Sequence, residues 1–239
     1  GPQSKLGYLS NNIKIGNSLI SDTKISNSSF SWNDEFPEIL GSLIDDKGFD
    51  IIVGNPPYVR QETIKDMSAY FKKTFQSYSG KADLYVYFIE RSILLLKSKG
   101  VLGMITSGKF TEASYGKPLQ KIMTNNLTFK KIINFKDLEV FSGITAYPLI
   151  FLTEKASNSN YDFHYYDIDA LDFENLEEKI SKIHHISINI QDLIEYDFNF
   201  LSKESIDIIK TISKDSISLE DFCPLPLVGT KTGFKEGFL

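Results

Sequence analysis

The sequence is poor in the residues that build covalent or metal-bound frameworks. Its 239 residues include one cysteine, Cys223, and three histidines. A single cysteine excludes a disulfide framework and fits a reducing cytoplasm. We find no secretory signal and no apolar run long enough to span a bilayer. The composition, 41% apolar residues, therefore predicts an ordinary globular protein of the cytoplasm with no membrane partner.

The adjacent pair His184-His185 is the pattern that most invites a metal site. No cysteine or carboxylate stands at a supporting spacing, so the sequence predicts that no metal is bound. A carboxylate–lysine cluster typical of nucleases is also missing from this sequence. The chemistry therefore has to come from other residue types.

The net charge of −5 argues at first against a nucleic-acid partner, but the charges are unevenly distributed. From Arg60 to Lys136 there are fourteen basic and five acidic residues, whereas residues 161–180 contain seven acids and one lysine. A basic half beside an acidic half is a reasonable electrostatic pattern for binding DNA on one side. Solvated helix faces would explain any single lysine equally well.

The most informative stretch is residues 49–58, Phe-Asp-Ile-Ile-Val-Gly-Asn-Pro-Pro-Tyr. The apolar run over residues 50–53 is rich in β-branched side chains and predicts a buried strand. Pro56 and Pro57 have no N–H to donate and fix φ near −65°, so the strand has to stop there. The result is a stiff loop at the carboxyl end of a strand, which is where open α/β sheets bind their ligands.

This loop suits the methylation of an exocyclic amino group. The lone pair of such a nitrogen is delocalised into the ring, and two acceptors aimed at its N–H bonds would free it. The Asn55 side-chain oxygen and the Pro56 carbonyl are placed to be those acceptors, and Tyr58 offers a face on which a base can stack. The electrophile would be a methyl sulfonium, so neither a metal nor a nucleophilic side chain is needed. A proline-rich turn with no chemical role is the alternative reading.

Three short segments resemble one family of enzymes. Asn55-Pro56-Pro57-Tyr58 is similar to the fourth motif of the amino-methyltransferases that use S-adenosylmethionine, known as the NPPY motif. With residues 59–62 and 81–88, it resembles the N6-adenine DNA methyltransferases of type IIG restriction–modification systems and their relatives in phage defence. The similarity covers most of residues 12–155 and resumes near the C-terminus.

The resemblance implies further site residues. Residues 140–144 resemble the eighth motif, so Phe141 is expected to stack on a flipped adenine opposite Tyr58, whereas Phe135 is expected in the core. Base flipping would require such contacts, because lost pairing and stacking cost a few kcal/mol. The residues expected near the cofactor are Asn17, Asp83 and Leu84, and those expected on DNA are Arg60, Lys81 and Lys109.

The implied fold is α/β, part of a doubly wound, Rossmann-like methyltransferase sheet with an acidic α+β extension. The glycine-rich first motif and the ribose-binding acid of the family are not found in this sequence, so the first and second strands are expected to be absent from this chain. The predicted division is a tag scar over 1–5, the C-terminal part of the catalytic domain over 6–155, an acidic extension over 156–215 and the start of a target-recognition domain over 216–239.

Hydrophobic periodicity predicts the individual elements. Strands are predicted over 12–20, 50–53, 101–106, 129–135 and 147–153, with a loop over 21–34. Helices are predicted over 36–43, 61–75, 84–97, 118–125 and 203–213. Asp83 is predicted to cap the helix that begins at Leu84, and Gly100 to end it.

The sequence therefore predicts a transferase that methylates the N6 amino group of adenine in double-stranded DNA, with S-adenosylmethionine as cofactor. We expect this chain to be incomplete and inactive by itself, and a nuclease domain or subunit of the same system to be a partner. A protein methyltransferase acting on glutamine is the leading alternative, because an amide NH2 poses the same chemical problem. A non-catalytic DNA-binding fragment is another.

Overall fold

The computed structural model describes residues 12–41, 47–59, 67–141, 147–214, 216–217 and 219–222. One mixed sheet with the strand order β1-β2-β4-β3-β5-β6 organises this part of the chain. Its strands are β1 (Phe49–Gly54), β2 (Leu96–Ser107), β3 (Thr128–Asn134), β4 (Pro148–Glu154), β5 (Asp162–Asp167) and β6 (Ile186–Asn189).

Helices lie between most of these strands. They are α1 (Trp32–Glu35), α2 (Pro37–Leu40), α3 (Ser68–Thr74), α4 (Leu84–Leu95), α5 (Lys117–Asn126), α6 (Leu176–Lys182), α7 (Ile190–Glu195), α8 (Lys203–Lys214) and α9 (Leu219–Phe222). Two turns of 3-10 helix, Gly108–Thr111 and Ser114–Gly116, connect β2 to α5. The predicted elements over 50–53, 118–125, 129–135, 147–153 and 203–213 are confirmed to within a residue or two.

Strand directions place four carboxyl ends on one rim of the sheet. β1 is parallel to β2, and β3 is parallel to β5. β4 lies between β2 and β3 and is antiparallel to both, so β2 and β3 run in the same direction. Gly54, Ser107, Asn134 and Asp167 therefore end their strands on the same side, the side on which open α/β sheets bind ligands.

The two faces of the sheet carry separate hydrophobic clusters. Consecutive strand residues point to opposite faces, and Ile132 and Ile133 accordingly belong to different clusters. Helices α3, α4, α5 and α7 pack on the Ile132 face, where Tyr85 and Tyr87 are fully buried, as predicted. Helix α6 packs on the Ile133 face, which also buries Phe135. Helices on both faces confirm the predicted doubly wound α/β class.

Strand β1 is present as predicted, but the prediction that it is buried is wrong for one of its two faces. It is the edge strand of the described sheet. Ile52 packs against the larger cluster, but Ile51 is 65% and Val53 78% exposed on the other face. Of the residues that the structure describes, none covers these two side chains fully. This open end of the sheet is next to the predicted catalytic loop.

One predicted strand and one predicted helix end are wrong. The alternation over 12–20 does not form a strand: Asn17 makes one isolated bridge to Ser29, and Ile15 is 98% exposed. Alternation needs a neighbouring strand to pair with, and the described chain offers none there. The helix predicted over 84–97 ends at Leu95 and not at Gly100, because Leu96 already pairs with Phe49 of β1.

The chain divides into two compact units after Leu201. In the first unit, β5 and β6 continue the sheet beyond residue 155, so the acidic segment contributes strands to the same sheet. In the second unit, α8 is amphipathic and leaves Ile208 and Ile212 exposed. Within the described ranges, no helix is long and apolar enough to cross a membrane. Most of residues 216–239 lie outside these ranges, so their assignment to a recognition domain stays a prediction.

Candidate active site

The loop after β1 is held firmly and leaves one polar side chain accessible. Pro56 is buried, whereas Asn55 is exposed at the rim. The Leu84 backbone N–H donates to the Val59 carbonyl at 2.9 Å, which ties the end of the loop to the first turn of α4. The proline-fixed backbone and this bond give Asn55 a defined position. The rim therefore presents an amide side chain with little freedom of backbone movement.

Tyr58 lies between two other aromatic rings. Its ring centroid is 6.4 Å from Tyr85, with perpendicular planes, and 6.2 Å from Phe141, with planes 61° apart. The Tyr58 hydroxyl is buried and has no hydrogen-bond partner among the described residues. Burial raises the pKa of this hydroxyl, so it stays protonated. The structure thus brings Tyr58 and Phe141 together, as the resemblance to the family predicted, and their rings meet edge to face.

The Tyr85 hydroxyl is hydrogen-bonded to the hydroxyl of Tyr115. Tyr85 is fully buried, and its hydroxyl oxygen is 3.1 Å from that of Tyr115. Burial, and after it the neighbouring Tyr115, raise the pKa of Tyr85. Asp83 occupies the N-cap position of α4, but its side chain makes no capping hydrogen bond. Its negative charge instead contributes to the raised pKa of Tyr115, whose largest cause is burial.

The turn that carries Tyr115 has a tight backbone. A Cβ atom at Gly116 would lie 1.9 Å from the Phe110 carbonyl oxygen, so only glycine fits there. The buried Gln120 side chain donates to the carbonyls of Phe110 and Thr111 at 2.7 and 3.0 Å. Tyr115 is therefore a fixed support beneath Tyr85 and, through it, Tyr58. The Tyr-Gly pair before a helix with Pro at its start is the local signal that could have identified it.

A cavity of about 500 Å3 runs along β1 and reaches the loop. Its lining is mostly apolar and aromatic, and includes Ser18, Trp32, Asn55, Phe88 and Arg91. The predicted cofactor residues are close to it in the chain: Asn17 precedes Ser18, and Leu84 is one helical turn before Phe88. The cavity is large enough and apolar enough for an adenosyl group.

Arg91 is an unusual residue for this position. It projects from α4 next to the buried Glu90, and burial lowers the pKa of its guanidinium. The guanidinium lies 5.1 Å from the Phe75 ring centroid, and one nitrogen donates to the Leu19 carbonyl at 3.4 Å. It thereby links α4 to the segment containing Ser18. The adjacent charges of Glu90 and Arg91 within a mainly apolar helix are the sequence signal that marks this position.

The residues predicted to bind DNA are in different situations. Lys81 and Lys109 are exposed, whereas Arg60 lies outside the described residues. Among the histidines, the ring centroids of His164 in β5 and of His185, just before β6, are 4.1 Å apart. Desolvation, His185 and Lys131 lower the pKa of His164. In the part of the chain that the structure describes, no group of three or more metal-ligating side chains converges.

Comparison with protein families identifies the chain. Residues 2–141 match the model of the Eco57I restriction-modification methylase. The chain belongs to this family. The match includes the loop after β1, α4, β2 and β3, and ends at Phe141. The resemblance seen in the sequence is thereby confirmed.

Two related proteins match this chain to different extents. The type II methyltransferase M.BstVI of Geobacillus stearothermophilus is 42% identical over 116 residues, which is 48% of this chain and 20% of that protein. The type II restriction enzyme and methyltransferase RM.Eco57I of Escherichia coli is 31% identical over 220 residues, 90% of this chain and 21% of that protein. The chain spans about a fifth of the length of these two relatives.

Among solved structures, one concerning complex assembly and conformational transition of the type I R-M system has a TM-score of 0.52. The sequence identity is 10%, and the match covers 72% of this chain and 42% of that one. This similarity supports the α/β fold described for this chain. It carries no information about individual site residues.

Proposed function

We propose that this chain contributes the catalytic loop of an enzyme that transfers a methyl group from S-adenosylmethionine to the N6 amino group of adenine in double-stranded DNA. The enzyme would belong to a restriction–modification or related phage-defence system. The observation that carries the proposal is the position of Asn55. Its side chain is exposed on a proline-fixed loop, beside the Tyr58–Phe141 aromatic pair and the cavity along β1.

Asn55 and Pro56 would act on the substrate nitrogen. Two acceptors, the Asn55 side-chain oxygen and the Pro56 carbonyl, bind the two N–H bonds and favour a pyramidal nitrogen. These hydrogen bonds strengthen as the nitrogen gains positive charge, so they stabilise the transition state more than the ground state. The cofactor, when bound, supplies an electrophilic methyl group. Asn17, Asp83 and Leu84 would hold it at the cavity lined by Ser18, Trp32 and Phe88.

Tyr58 and Phe141 would hold the flipped base. In the structure the two rings touch edge to face, with centroids 6.2 Å apart and planes at 61°. A base stacked between two parallel rings needs about 7 Å, two van der Waals separations of about 3.5 Å. One ring therefore has to turn when the base enters. Phe141 is the ring expected to move, because Tyr58 is backed by Tyr85.

Double-stranded DNA would cross the basic surface that contains Arg60, Lys81 and Lys109. A nuclease domain or subunit would complete the system, since the relative RM.Eco57I is named as both a restriction enzyme and a methyltransferase. Restriction–modification enzymes act on DNA inside the cell that makes them, so the cytoplasm is the expected location.

Methyl transfer by the full-length enzyme tests the proposal. The enzyme is incubated with tritiated S-adenosylmethionine and either duplex DNA or a translation release factor, and labelled DNA is digested to nucleosides. We expect the label in N6-methyl-2′-deoxyadenosine, and almost no label on DNA with the Asn55→Ala variant. Label on a glutamine of the release factor, or on cytosine, would overturn the assignment.

A further inference from the structure

A second cleft opens at the same rim of the sheet, away from β1. It has a volume of about 790 Å3 and lies between the 3-10 turn after β2 and the turn after β3. Lys109, Lys136, Tyr147 and Leu149 are among its lining residues. Ser107 of β2 pairs with Pro148 of β4, so the cleft lies over the ends of these strands. It is separate from the aromatic pair at Tyr58.

Tyr147 has a strained backbone in this cleft. Its φ is 47°, a left-handed value that is unfavourable for a bulky residue, and Lys136 in the same cleft has a φ of 52°. Strained residues of this kind concentrate at binding sites. The Gly108 N–H donates to the Tyr147 carbonyl at 2.8 Å and holds the conformation. The Tyr147 side chain nevertheless remains 43% exposed, so the strain does not serve to bury the ring.

Lys109 lies over this ring. Its ammonium nitrogen is 5.4 Å from the Tyr147 ring centroid, a cation–π distance. Lys109 takes part in none of the ion pairs found among the described residues, whereas Lys136 pairs with Asp167 at 3.1 Å. An exposed ring with an ammonium beside it offers the two contacts that a nucleotide needs. Bases stack on aromatic faces, and phosphates bind lysine.

We propose that Lys109 and Tyr147 form a nucleotide subsite that holds a nucleotide flanking the target base. In the free protein, Lys109 covers the ring. When DNA binds, a neighbouring base takes the ring face and the ammonium moves to that nucleotide's phosphate. The carboxylates of Glu112 and Asp137 also line the cleft. Because they would repel a phosphate, the proposed phosphate position is next to Lys109. The subsite rests on the proposed function for the presence of DNA at this rim.

The spacing along the rim fits a nearby nucleotide. β4 is two strands away from β1, which is about 10 Å at the ordinary strand separation. Successive nucleotides of one duplex strand are about 3.4 Å apart along the axis. The subsite therefore lies about three nucleotides or fewer from a base held at Asn55. Because stacking tolerates every base, this contact would position the strand without reading its sequence.

The test uses the full-length enzyme and a duplex containing a methylatable adenine. Tyr147→Gly removes the ring at a backbone position that glycine prefers, so the melting temperature should be unchanged or higher. We expect its DNA affinity to fall by about fivefold to a hundredfold, and Tyr147→Phe to stay within about twofold of wild type, since it keeps the face. Lys109→Gln should weaken binding and lower the salt slope by about one counterion. The control is Lys182→Gln, an exposed lysine paired with Glu178 on α6, which should change neither.

Each outcome separates the subsite from the proposed function. Suppose that the wild-type enzyme methylates adenine and that Tyr147→Gly and Lys109→Gln bind DNA as tightly as wild type. This result would overturn the subsite and leave the proposed function intact. A large drop in the melting temperature of Tyr147→Gly would also overturn the subsite, because the ring would then support the fold. If the variants lose DNA affinity as expected but the wild type does not methylate adenine, the subsite stands and the proposed function fails.

Discussion

The two ends of the sheet differ in how much of their apolar surface is covered. At the β3–β5 end, helices lie on both faces, so Ile132 and Ile133 are both buried although they point in opposite directions. At the β1 end, Ile52 packs against the larger hydrophobic cluster, while Ile51 and Val53 are exposed on the other face. The predicted catalytic loop begins where β1, the strand at this open end, stops. The well-covered apolar surface and the candidate active site are thus located at different ends of one sheet.

This difference has a cost in free energy. Fully burying a valine or isoleucine side chain contributes about 1.5–3 kcal/mol, and β1 leaves two such contributions unrealised. Contiguous exposed apolar surface on a protein marks a place where something else binds. The cavity along β1 opens beside this surface. The open end is therefore where an added segment, subunit or cofactor would gain most by binding.

The largest expected effect concerns the reaction itself. In the full-length enzyme, Asn55→Ala should lower the rate of methyl transfer by about a thousandfold or more, the upper range for one preorganised hydrogen-bonding group. Asn55 is exposed at the rim, so the melting temperature and cofactor affinity should stay near those of wild type. Single-turnover transfer from tritiated cofactor measures the rate. Near-normal turnover would disprove the role of the loop.

The next prediction concerns cofactor binding at the open end. The 239-residue chain alone should bind S-adenosylmethionine with a dissociation constant of about 1 mM or weaker, which corresponds to about −4 kcal/mol. The cavity is bounded on one side by the edge strand β1, and the sequence shows neither the glycine-rich motif nor the ribose-binding acid of the family. Titration calorimetry on this chain and on the full-length protein measures both. A micromolar value for the chain alone would show that the described residues suffice.

Most strands of the sheet were predictable, because an apolar run bounded by turn residues is a signal that lies within the local sequence. The strand ending at Gly54 is an example: its β-branched run and the two prolines after it are enough. The segment 12–20 has an equally clear alternation but no pairing strand, and pairing is a tertiary property. The apolar run from Ile93 to Leu96 contains no break, so only the pairing of Leu96 with Phe49 decides where α4 ends.

The candidate site was predictable only in part. The loop residues Asn55, Pro56 and Tyr58 stand in consecutive positions, so their proximity needs no fold. Phe141 is 83 positions away from Tyr58, and the resemblance to the family, not periodicity, paired them. Tyr147 had no signal at all, because a left-handed backbone is expected at glycine or asparagine and not at tyrosine.

A matched pair of substitutions sharpens the comparison of the two ends. Ile132→Ala on β3 removes a side chain that is 2% exposed, and should lower the free energy of unfolding by about 2–5 kcal/mol. Ile51→Ala on β1 makes the same chemical change at a side chain that is 65% exposed, and should cost less than about 1 kcal/mol. Urea denaturation of the 239-residue chain measures both. Equal losses would mean that Ile51 is covered in solution.

The smallest expected effects concern the two aromatics that face each other at the open end. In the full-length enzyme, Tyr58→Ala and Phe141→Ala should each weaken binding of an extruded base by about 1–3 kcal/mol, roughly tenfold to a hundredfold. Tyr58→Phe should cost much less: the ring face is kept, and the buried hydroxyl it loses has no partner among the described residues. Duplex DNA carrying 2-aminopurine at the target position reports extrusion, because its fluorescence rises when it leaves the stack.

The melting temperature distinguishes a ring that stacks on the base from a ring that packs in the protein core. Tyr58 and Phe141 differ in how much each substitution should lower it. Tyr58 contacts the fully buried Tyr85, so Tyr58→Ala is expected to lower stability as well as extrusion. Phe141 is only partly buried after β3, and Phe141→Ala should leave the melting temperature within about 2 °C of wild type, as for most surface changes. Lost extrusion at unchanged stability in Phe141→Ala would support the stacking role. Normal extrusion with a lowered melting temperature would instead assign Phe141 to the hydrophobic core, and Tyr58 would then hold the base without it.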